Sequence, residues 1–299
     1  MAGHGDSTRA VLVALGANLA IAMAKGVAAW FTKSGAMLAE TVHSLADCAN
    51  QVLLLIGMKQ AKGPPSPEHP LGRGKEVYFW SFLVAVMLFT IGGIYSLYEG
   101  VHKLAHPQPL QKWQWAVGVL VFSIAMEAYS TRACLQAAAA ERKGRSLWRW
   151  FRESRSAELI VVVGENIAAL LGLVVALAFI GLSIFTGNPL WDAIGTLAIG
   201  VLLVVVAVFV AIEVKALLVG QSIDPRRQEE MRVFLHAQPE IAELYNLITL
   251  QLGNRALVSV QARFRVDVGV ARQIDVIERE FLAAFPEVQW SFFEPEVKD

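Results

Sequence analysis

The chain has 299 residues, of which 55% are hydrophobic and only 17% are charged, and its mean hydropathy is positive. Soluble domains of this length carry about a quarter charged residues, so these figures favour a membrane protein. Basic and acidic residues are equal in number, which gives no net charge to attract nucleic acid, and the two cysteines, Cys48 and Cys134, form neither a disulfide framework nor a zinc-ribbon spacing.

Six apolar blocks are each long enough to cross about 30 Å of hydrocarbon as a helix. The first block is too long for the core of a signal peptide, so residues 1–10 are predicted to be a short polar tail. We therefore predict a polytopic α-helical membrane protein whose domain 11–219 contains six transmembrane helices. The predicted spans are 11–31, 36–60, 77–104, 113–140, 158–186 and 190–219.

Basic residues concentrate in the loops that follow the second and the fourth spans. By the positive-inside bias these loops are predicted to be cytoplasmic, and with six spans both termini are cytoplasmic as well. The basic residues on this side are Lys62, Arg73, Lys75, Arg142, Lys143, Arg145, Arg149, Arg152 and Arg155. The opposite side has Lys33, Lys103 and Lys112.

Residues 220–299 change to the composition of a separate domain, predicted to be cytoplasmic. Two amphipathic helical patterns and three strand patterns follow one another in the order α-β-β-α-β, which indicates a small α+β layer. The segment 256–266 alternates cleanly, with Val258, Val260, Ala262, Phe264 and Val266 on one face.

The second span carries a stripe of polar residues. At 100° per residue, Glu40, His43, Asp47, Asn50 and Gln51 occupy about a third of the helix circumference. An ionisable side chain at membrane depth costs about 2.5–3.5 kcal/mol on insertion scales and by default marks an ion or proton path. The plainer alternative is a polar stripe that only bonds neighbouring helices.

His43 and Asp47 are separated by four residues, so a nitrogen and a carboxylate oxygen can converge on one point. This donor pair suits a divalent transition metal such as zinc. The fifth span offers further donors in Glu165 and Asn166, although Asn166 could instead bond across helices. Glu158, at the membrane edge, is predicted either to lie at the interface or to be a ligand.

Other polar residues in the spans are predicted to act in helix packing, loop anchoring or lining rather than direct ligation. They are Asn18, Glu99 and Glu127. Within the stripe, Asn50 is predicted to be an auxiliary ligand, Glu40 to lie at the mouth of the path and Gln51 to line it.

Several segments closely resemble the cation diffusion facilitators, in particular the branch that includes the zinc transporter 9-like proteins. They are SGAMLAETVHSLADCANQVLLLIG, HPLGRGKEVYFWSF, FTIGGIYSLYEGVHKL, LLVGQSIDP and FPEVQWSFFEPE. The resemblance implies a homodimeric transporter with a ferredoxin-like cytoplasmic domain, which exports divalent metal from the cytoplasm in exchange for protons. The dimer would form through the transmembrane and C-terminal domains.

The resemblance also implies a transport site made of a His/Asp-x-x-x-Asp pair in the second span and another pair in the fifth. His43 and Asp47 match the first pair. The second pair is not matched, because this chain has Glu165-Asn166 where the branch often has Glu-Asp. Because His43 supplies a nitrogen donor, Zn²⁺ is the expected transported ion, and no cofactor is expected. The oxygen donors would also suit Mn²⁺, Fe²⁺ or Co²⁺.

Some members of the family bind a second metal in the loop after the second span. Here the corresponding positions are Ser66, His69 and Arg73, so we predict no metal in that loop; Glu68 beside His69 is the alternative donor. The C-terminal domain has a single histidine, His236, and no cysteine, and we predict no metal cluster there either.

The hypothesis is a zinc/proton antiporter working by alternating access in a cell inner membrane. A non-transporting membrane partner with an incomplete metal site is the alternative, supported by the Glu165-Asn166 departure. We expect no enzyme, because no nucleophile elbow, phosphate loop or His-Glu-x-x-His spacing occurs.

Overall fold

The computed structural model of the chain describes residues 3–32, 35–107, 113–265 and 269–296. Its N-terminal part is helical, and the boundaries lie close to those predicted. The helices are α1 Gly3–Thr32, α2 Gly35–Gln60, α3 Glu76–Met87, α4 Tyr95–Ala105, α5 Trp113–Arg142, α6 Leu147–Glu153, α7 Ala157–Thr186 and α8 Leu190–Val219.

Four helical segments in the described ranges are long and apolar enough to cross a membrane, which makes the chain an integral membrane protein. These segments are Ser7–Phe31, Glu76–Ala105, Ala157–Thr186 and Leu190–Val219. The helices α2 and α5 are of similar length. Polar residues within them lower their mean hydropathy, so over their described residues they are less apolar than these four segments.

The helices pack around a shared interior. Helix α1 packs against α2 and α5, and α7 packs against α5 and α8. The turn between α7 and α8 is set by Gly187, whose φ of 67° is left-handed and ends α7. This arrangement brings the polar faces of α1, α2, α5 and α7 together.

The third apolar segment is continuous but not uniformly α-helical. A π-helical stretch, Leu88–Ile94, joins α3 to α4. Glycines bring this segment very close to α8: a Cβ on Gly100 would lie 2.7 Å from the Leu197 side chain, and one on Gly200 would lie 2.8 Å from the backbone nitrogen of Leu97. The two helices are therefore locked together along their contact.

After Gly220 the chain forms a small three-stranded sheet flanked by two helices, in the predicted α-β-β-α-β order. Strand β1 pairs antiparallel with β2, which pairs parallel with β3. The elements are α9 Pro225–His236, β1 Ile241–Leu252, β2 Arg255–Phe264, α10 Val270–Ala284 and β3 Val288–Pro295.

The alternation predicted for β2 is confirmed over the residues that the structure describes. Val258, Val260, Ala262 and Phe264 are buried, whereas Arg263 is exposed. Val266, assigned to the same face, lies outside the described residues. The buried face packs against α9 and α10, with Met231, Leu235, Ile277 and Phe281 in the same core.

A short helix, α6, lies in the basic loop between α5 and α7 and was not predicted. The side chain of Arg145 in this loop binds Glu153 at 3.1 Å and Asp224, before α9, at 2.6 Å. Burial alone would lower the pKa of Arg145, but the hydrogen bonds to Asp224 and Glu153 outweigh it and raise that pKa. The hydrogen bond from Arg149, together with that from Arg145, holds the pKa of Glu153 below its usual value.

A second contact joins the C-terminal sheet to the start of α3. The buried hydroxyl of Tyr78 accepts a hydrogen bond from the Gly253 N–H at 2.8 Å, in the turn between β1 and β2. Gly253 has a φ of 63°, and a Cβ there would lie 2.7 Å from the carbonyl oxygen of Gly74. The turn therefore needs glycine both for its conformation and for its close approach to the loop before α3.

Candidate metal site

The polar stripe of α2 faces the interior of the helical domain. Asn50 and Gln51 on this stripe are buried, at 3% and 0% exposure, and so is the neighbouring Ser44. The opposite face, with Leu45 and Val52, is exposed and would meet lipid. The side chain of Glu40 lies outside the part of the chain whose side chains are described.

Glu165 on α7 is the acid that meets this stripe. Its Oε1 accepts a hydrogen bond from Asn50 Nδ2 at 3.0 Å, and its Oε2 accepts one from Gln51 Nε2 at 2.9 Å. Glu165 is 5% exposed and lies eight residues into α7, about 12 Å along the helix axis. The second and fifth predicted spans therefore meet through a carboxylate held by two amides.

The hydrogen bonds continue from Glu165 to α1. Gln51 uses its Oε1 to accept a hydrogen bond from Asn18 Nδ2 at 3.2 Å. Gln51 thus links α1 to α7 with both ends of its amide, which fits its complete burial. The contact also fixes the register of α1 against α2.

One side-chain oxygen in this cluster has no hydrogen-bond partner within the described ranges. Asn50 Oδ1 is buried and accepts no hydrogen bond from any described residue. An unpaired carbonyl oxygen in the interior costs free energy, about 1–3 kcal/mol, and such an atom calls for an explanation. A bound cation would satisfy it, because amide oxygens are ligands for divalent metals.

Asp47 lies about one turn and His43 about two turns before Asn50 on the same helix, and both side chains are partly exposed. Asp47 is close enough to Glu165 for the two carboxylates to interact electrostatically. Within the described residues, however, no three histidine, cysteine, aspartate or glutamate side chains already surround a common point. A four-ligand site would require these donors to draw together.

Asn166 faces another helix. Its Oδ1 accepts a hydrogen bond from Ser130 Oγ at 2.9 Å, and its Nδ2 donates to Val162 O at 2.7 Å and to Cys134 Sγ at 3.2 Å. The amide therefore connects α7 to α5. Of the two roles predicted for Asn166, this geometry favours the helix-bonding one over metal ligation.

Glu158 is separated from this cluster. It is 3% exposed and lies in the first turn of α7, seven residues and about 10 Å before Glu165. The structure therefore brings together Asn18, Asn50, Gln51 and Glu165, and leaves Glu158 nearer the helix end.

Two charged side chains near the cluster were not assigned to the site from sequence. Glu127 on α5 is 2% exposed, and Lys25 on α1 is 9% exposed. Glu127 interacts electrostatically with both Asp47 and Lys25. The sequence signal for Lys25 is a basic residue in the middle of an apolar block; an ammonium group is not a metal ligand.

The loop after α2 has a compact turn. The backbone groups of Ser66 and His69 form two reciprocal hydrogen bonds of 3.0 Å, and Ser66 Oγ also accepts from the His69 N–H. These hydrogen bonds use the backbone of His69, while its buried imidazole Nδ1 has no hydrogen-bond partner among the described residues. The absence of a metal at this loop remains a prediction.

Comparison with known proteins gives the chain a family context. A family model described as the cation efflux transmembrane domain matches residues 11–219. Proton-coupled zinc antiporter SLC30A9, mitochondrial, of Homo sapiens is 33% identical over 247 residues, which are 82% of this chain and 44% of that protein. The Mus musculus protein of the same name is 32% identical over the same shares.

Similarity also extends to a bacterial protein of nearly the same length. Cation-efflux pump FieF of Klebsiella pneumoniae is 24% identical over 285 residues, 93% of this chain and 89% of that protein. By contrast, the chain spans less than half the length of the antiporters that it matches. These relatives are transporters by name.

Proposed function

The chain belongs to the cation efflux family, also called the cation diffusion facilitators, in the zinc transporter 9-like branch, and from this premise we propose that it transports divalent metal ions, Zn²⁺ foremost, in exchange for protons. The similarity of the chain to a zinc antiporter and to a cation-efflux pump supports this class of activity.

The observation that carries the proposal is the contact between α2 and α7 at Glu165. A carboxylate, an unpaired amide oxygen at Asn50 and the nearby Asp47 supply oxygen donors, and His43 supplies nitrogen. Mixed nitrogen and oxygen ligation suits zinc. We assign the ligand set to His43, Asp47, Asn50 and Glu165. Gln51 of α2 positions Glu165, and Asn18 of α1 positions Gln51.

Proton coupling follows from the chemistry of these ligands. A metal ion requires a neutral imidazole and ionised carboxylates, so protons and metal compete for the same atoms. A pH difference across the membrane can then drive metal release on one side and binding on the other. Alternating access, in which the helices rock around the site, is the proposed route.

The wider architecture is part of the same proposal. Six spans would place the basic loops and both termini in the cytoplasm, with residues 220–299 as a ferredoxin-like cytoplasmic domain and 11–219 as the transport domain. Dimerisation through both domains is proposed from family membership. A cell inner membrane is the proposed location; the named antiporters are mitochondrial proteins.

The test is zinc flux into proteoliposomes with an imposed pH gradient. Parent protein is expected to take up Zn²⁺ in a gradient-dependent manner, and Asp47→Ala to lose that flux. Glu99→Ala is the matched control, because it removes an acid from another apolar helix, α4, away from the α2–α7 contact. Equal flux in parent and Asp47→Ala would show that the site is wrongly assigned. Competition by Mn²⁺, Fe²⁺ and Co²⁺ in the same assay would rank the ions.

The geometry of Asn166 favours one further candidate, a membrane partner that keeps the fold without transporting metal. With this amide engaged on α5, the fifth span supplies one carboxylate to the cluster. Such a partner would bind no stoichiometric zinc. Stoichiometric binding to the purified chain that His43→Ala abolishes would count against it.

A further inference from the structure

Lys25 lies in the protein interior. It is 9% exposed on a face of α1 that also buries Ala14, Asn18, Ala22 and Ala28, at the three- and four-residue spacing of one helix side. This face meets α2 and α5. An ammonium group inside a membrane domain is costly unless it is paired, and by default it has a functional role.

The depth of Lys25 follows from the hydrogen bond between Asn18 and Gln51. Helices α1 and α2 are consecutive and run in opposite directions, and Asn18 lies level with Gln51. Lys25 is two turns after Asn18 on α1, so its backbone lies level with the residues two turns before Gln51 on α2. These residues lie in the turn containing His43. Helical side chains lean toward the start of their own helix, which brings the Lys25 side chain back toward the level of Asp47.

On α5, the acid that interacts electrostatically with Lys25 is Glu127, which is 2% exposed. Glu127 shares its helix face with Ser130 and Cys134, the two residues that hold Asn166 of α7. It interacts electrostatically with Lys25 and Asp47, and it acts on Glu165 as well. One ammonium and three carboxylates, from four helices, therefore share one interior region.

If the three acids are ionised, the charges in this region do not balance without a bound cation. Three carboxylates repel one another strongly in an interior of low dielectric, and one ammonium offsets only part of that repulsion. A divalent ion supplies two further positive charges. Lys25 and the metal ion are thus alternative sources of positive charge for the same acids.

We propose that Lys25 is a built-in counter-ion of the transport site. While the site holds no metal, the Lys25 ammonium balances the charges of Asp47 and Glu127. When a divalent cation binds, the ammonium gives up its interaction with Asp47, which then binds the cation. Lys25 is then a positioning residue that acts through Asp47, and its charge lowers metal affinity and speeds metal release. This inference rests on the proposed function, because it requires Asp47 to bind the transported ion.

The test compares Zn²⁺ dissociation constants of the purified full chain by titration calorimetry. Lys25→Met removes a positive charge and is expected to tighten binding about tenfold, with kcat and KM of transport both falling. Glu127→Gln removes a negative charge and is expected to weaken binding about tenfold. The double variant restores the charge balance and is expected to lie within about threefold of the parent, as is Lys25→Arg, which keeps the charge.

A merely structural pair would lower the unfolding midpoint in both single variants without moving the two dissociation constants in opposite directions. Shifts of the same sign, or no shifts, overturn the proposal. Should Lys25→Met fail to fold, Glu127→Gln decides alone: weaker binding supports the counter-ion role, and unchanged binding overturns it. If the parent binds no Zn²⁺, the proposed function falls and this inference with it; if binding depends on Asp47 but both single variants bind like the parent, only the inference falls.

Discussion

Exchanging the Glu165 carboxylate for an amide separates metal binding from folding. In Glu165→Gln, Gln51 Nε2 can still donate to the remaining oxygen. The introduced NH₂ group would face Asn50 Nδ2, but a rotation of the Asn50 amide turns its unpaired Oδ1 into the acceptor. The number of hydrogen bonds between α2 and α7 is therefore unchanged.

The energetic cost of this substitution is small because two terms oppose each other. Each of the two hydrogen bonds changes from charge-assisted to neutral, which costs about 1 kcal/mol per bond. Removing a buried ionised group recovers a comparable amount, since such a group costs about 2.5–3.5 kcal/mol at membrane depth. We expect the free energy of unfolding to change by less than about 1 kcal/mol.

Zinc binding, in contrast, is expected to weaken strongly. Glu165→Gln removes an anionic ligand and also occupies the Asn50 oxygen that would face the metal, so we expect at least a roughly 100-fold increase in the zinc dissociation constant. Calorimetric titration of the purified chain measures this, and thermal unfolding in the same detergent measures the stability.

Asn166→Ala is the matched control, one residue further along α7. It removes three side-chain hydrogen bonds within α7 and to α5, and is expected to lower stability by about 1–3 kcal/mol. The zinc dissociation constant should stay within about threefold of the parent. Parent-like zinc affinity in Glu165→Gln would refute the ligand assignment, and loss of affinity in folded Asn166→Ala would refute the assignment of Asn166 to α5.

Three further outcomes are expected outside the site. Tyr78→Phe leaves the buried N–H of Gly253 unpaired and should lower stability by about 1–3 kcal/mol in thermal unfolding; an unchanged midpoint would contradict the contact. Because the hydrogen bond from Arg149 lowers the pKa of Glu153, this acid stabilises the fold above the unfolded-state value of about 4.3 and loses that contribution as pH falls through its lower folded pKa. The loss on acidification below about pH 5 should be smaller in Glu153→Gln, and equal pH profiles would argue against it. His69→Ala should leave the zinc stoichiometry of the chain unchanged; a loss of one bound ion would establish a loop site.

The polar stripe of α2 could be predicted from sequence because its direction follows from helical periodicity alone. The choice between Glu165 and Asn166 could not, since adjacent residues on a helix point about 100° apart and only the packing decides which of them meets α2. For the same reason the amide of Asn50 was predictable as a polar group at the interface, but the unpaired state of its Oδ1 was not.

The other features of the structure that were not predicted from the sequence have weak or ambiguous sequence signals. Helix α6 has only seven residues among many basic ones, too few for a clear period. Strand β1 begins at Ile241, and its first residues pair irregularly with β2, so no clean alternation marks where it starts. Lys25 and Glu127 interact electrostatically between two helices distant in sequence, which no local pattern reveals.

The glycine contacts between α4 and α8 have a mechanical consequence. Side chains of each helix pack directly on the glycines of the other, so the third apolar segment and α8 would move together as one rigid unit. The C-terminal domain is joined to this pair of helices at two points. The chain passes from α8 into that domain at Gly220, and the Gly253 turn between β1 and β2 contacts Gly74 and Tyr78 at the start of α3. A force that displaces the sheet would therefore reach the membrane domain through this pair of helices, in parallel with the Arg145–Asp224 ion pair that joins the loop after α5 to the start of α9. Glu165 lies on α7, which packs against α8.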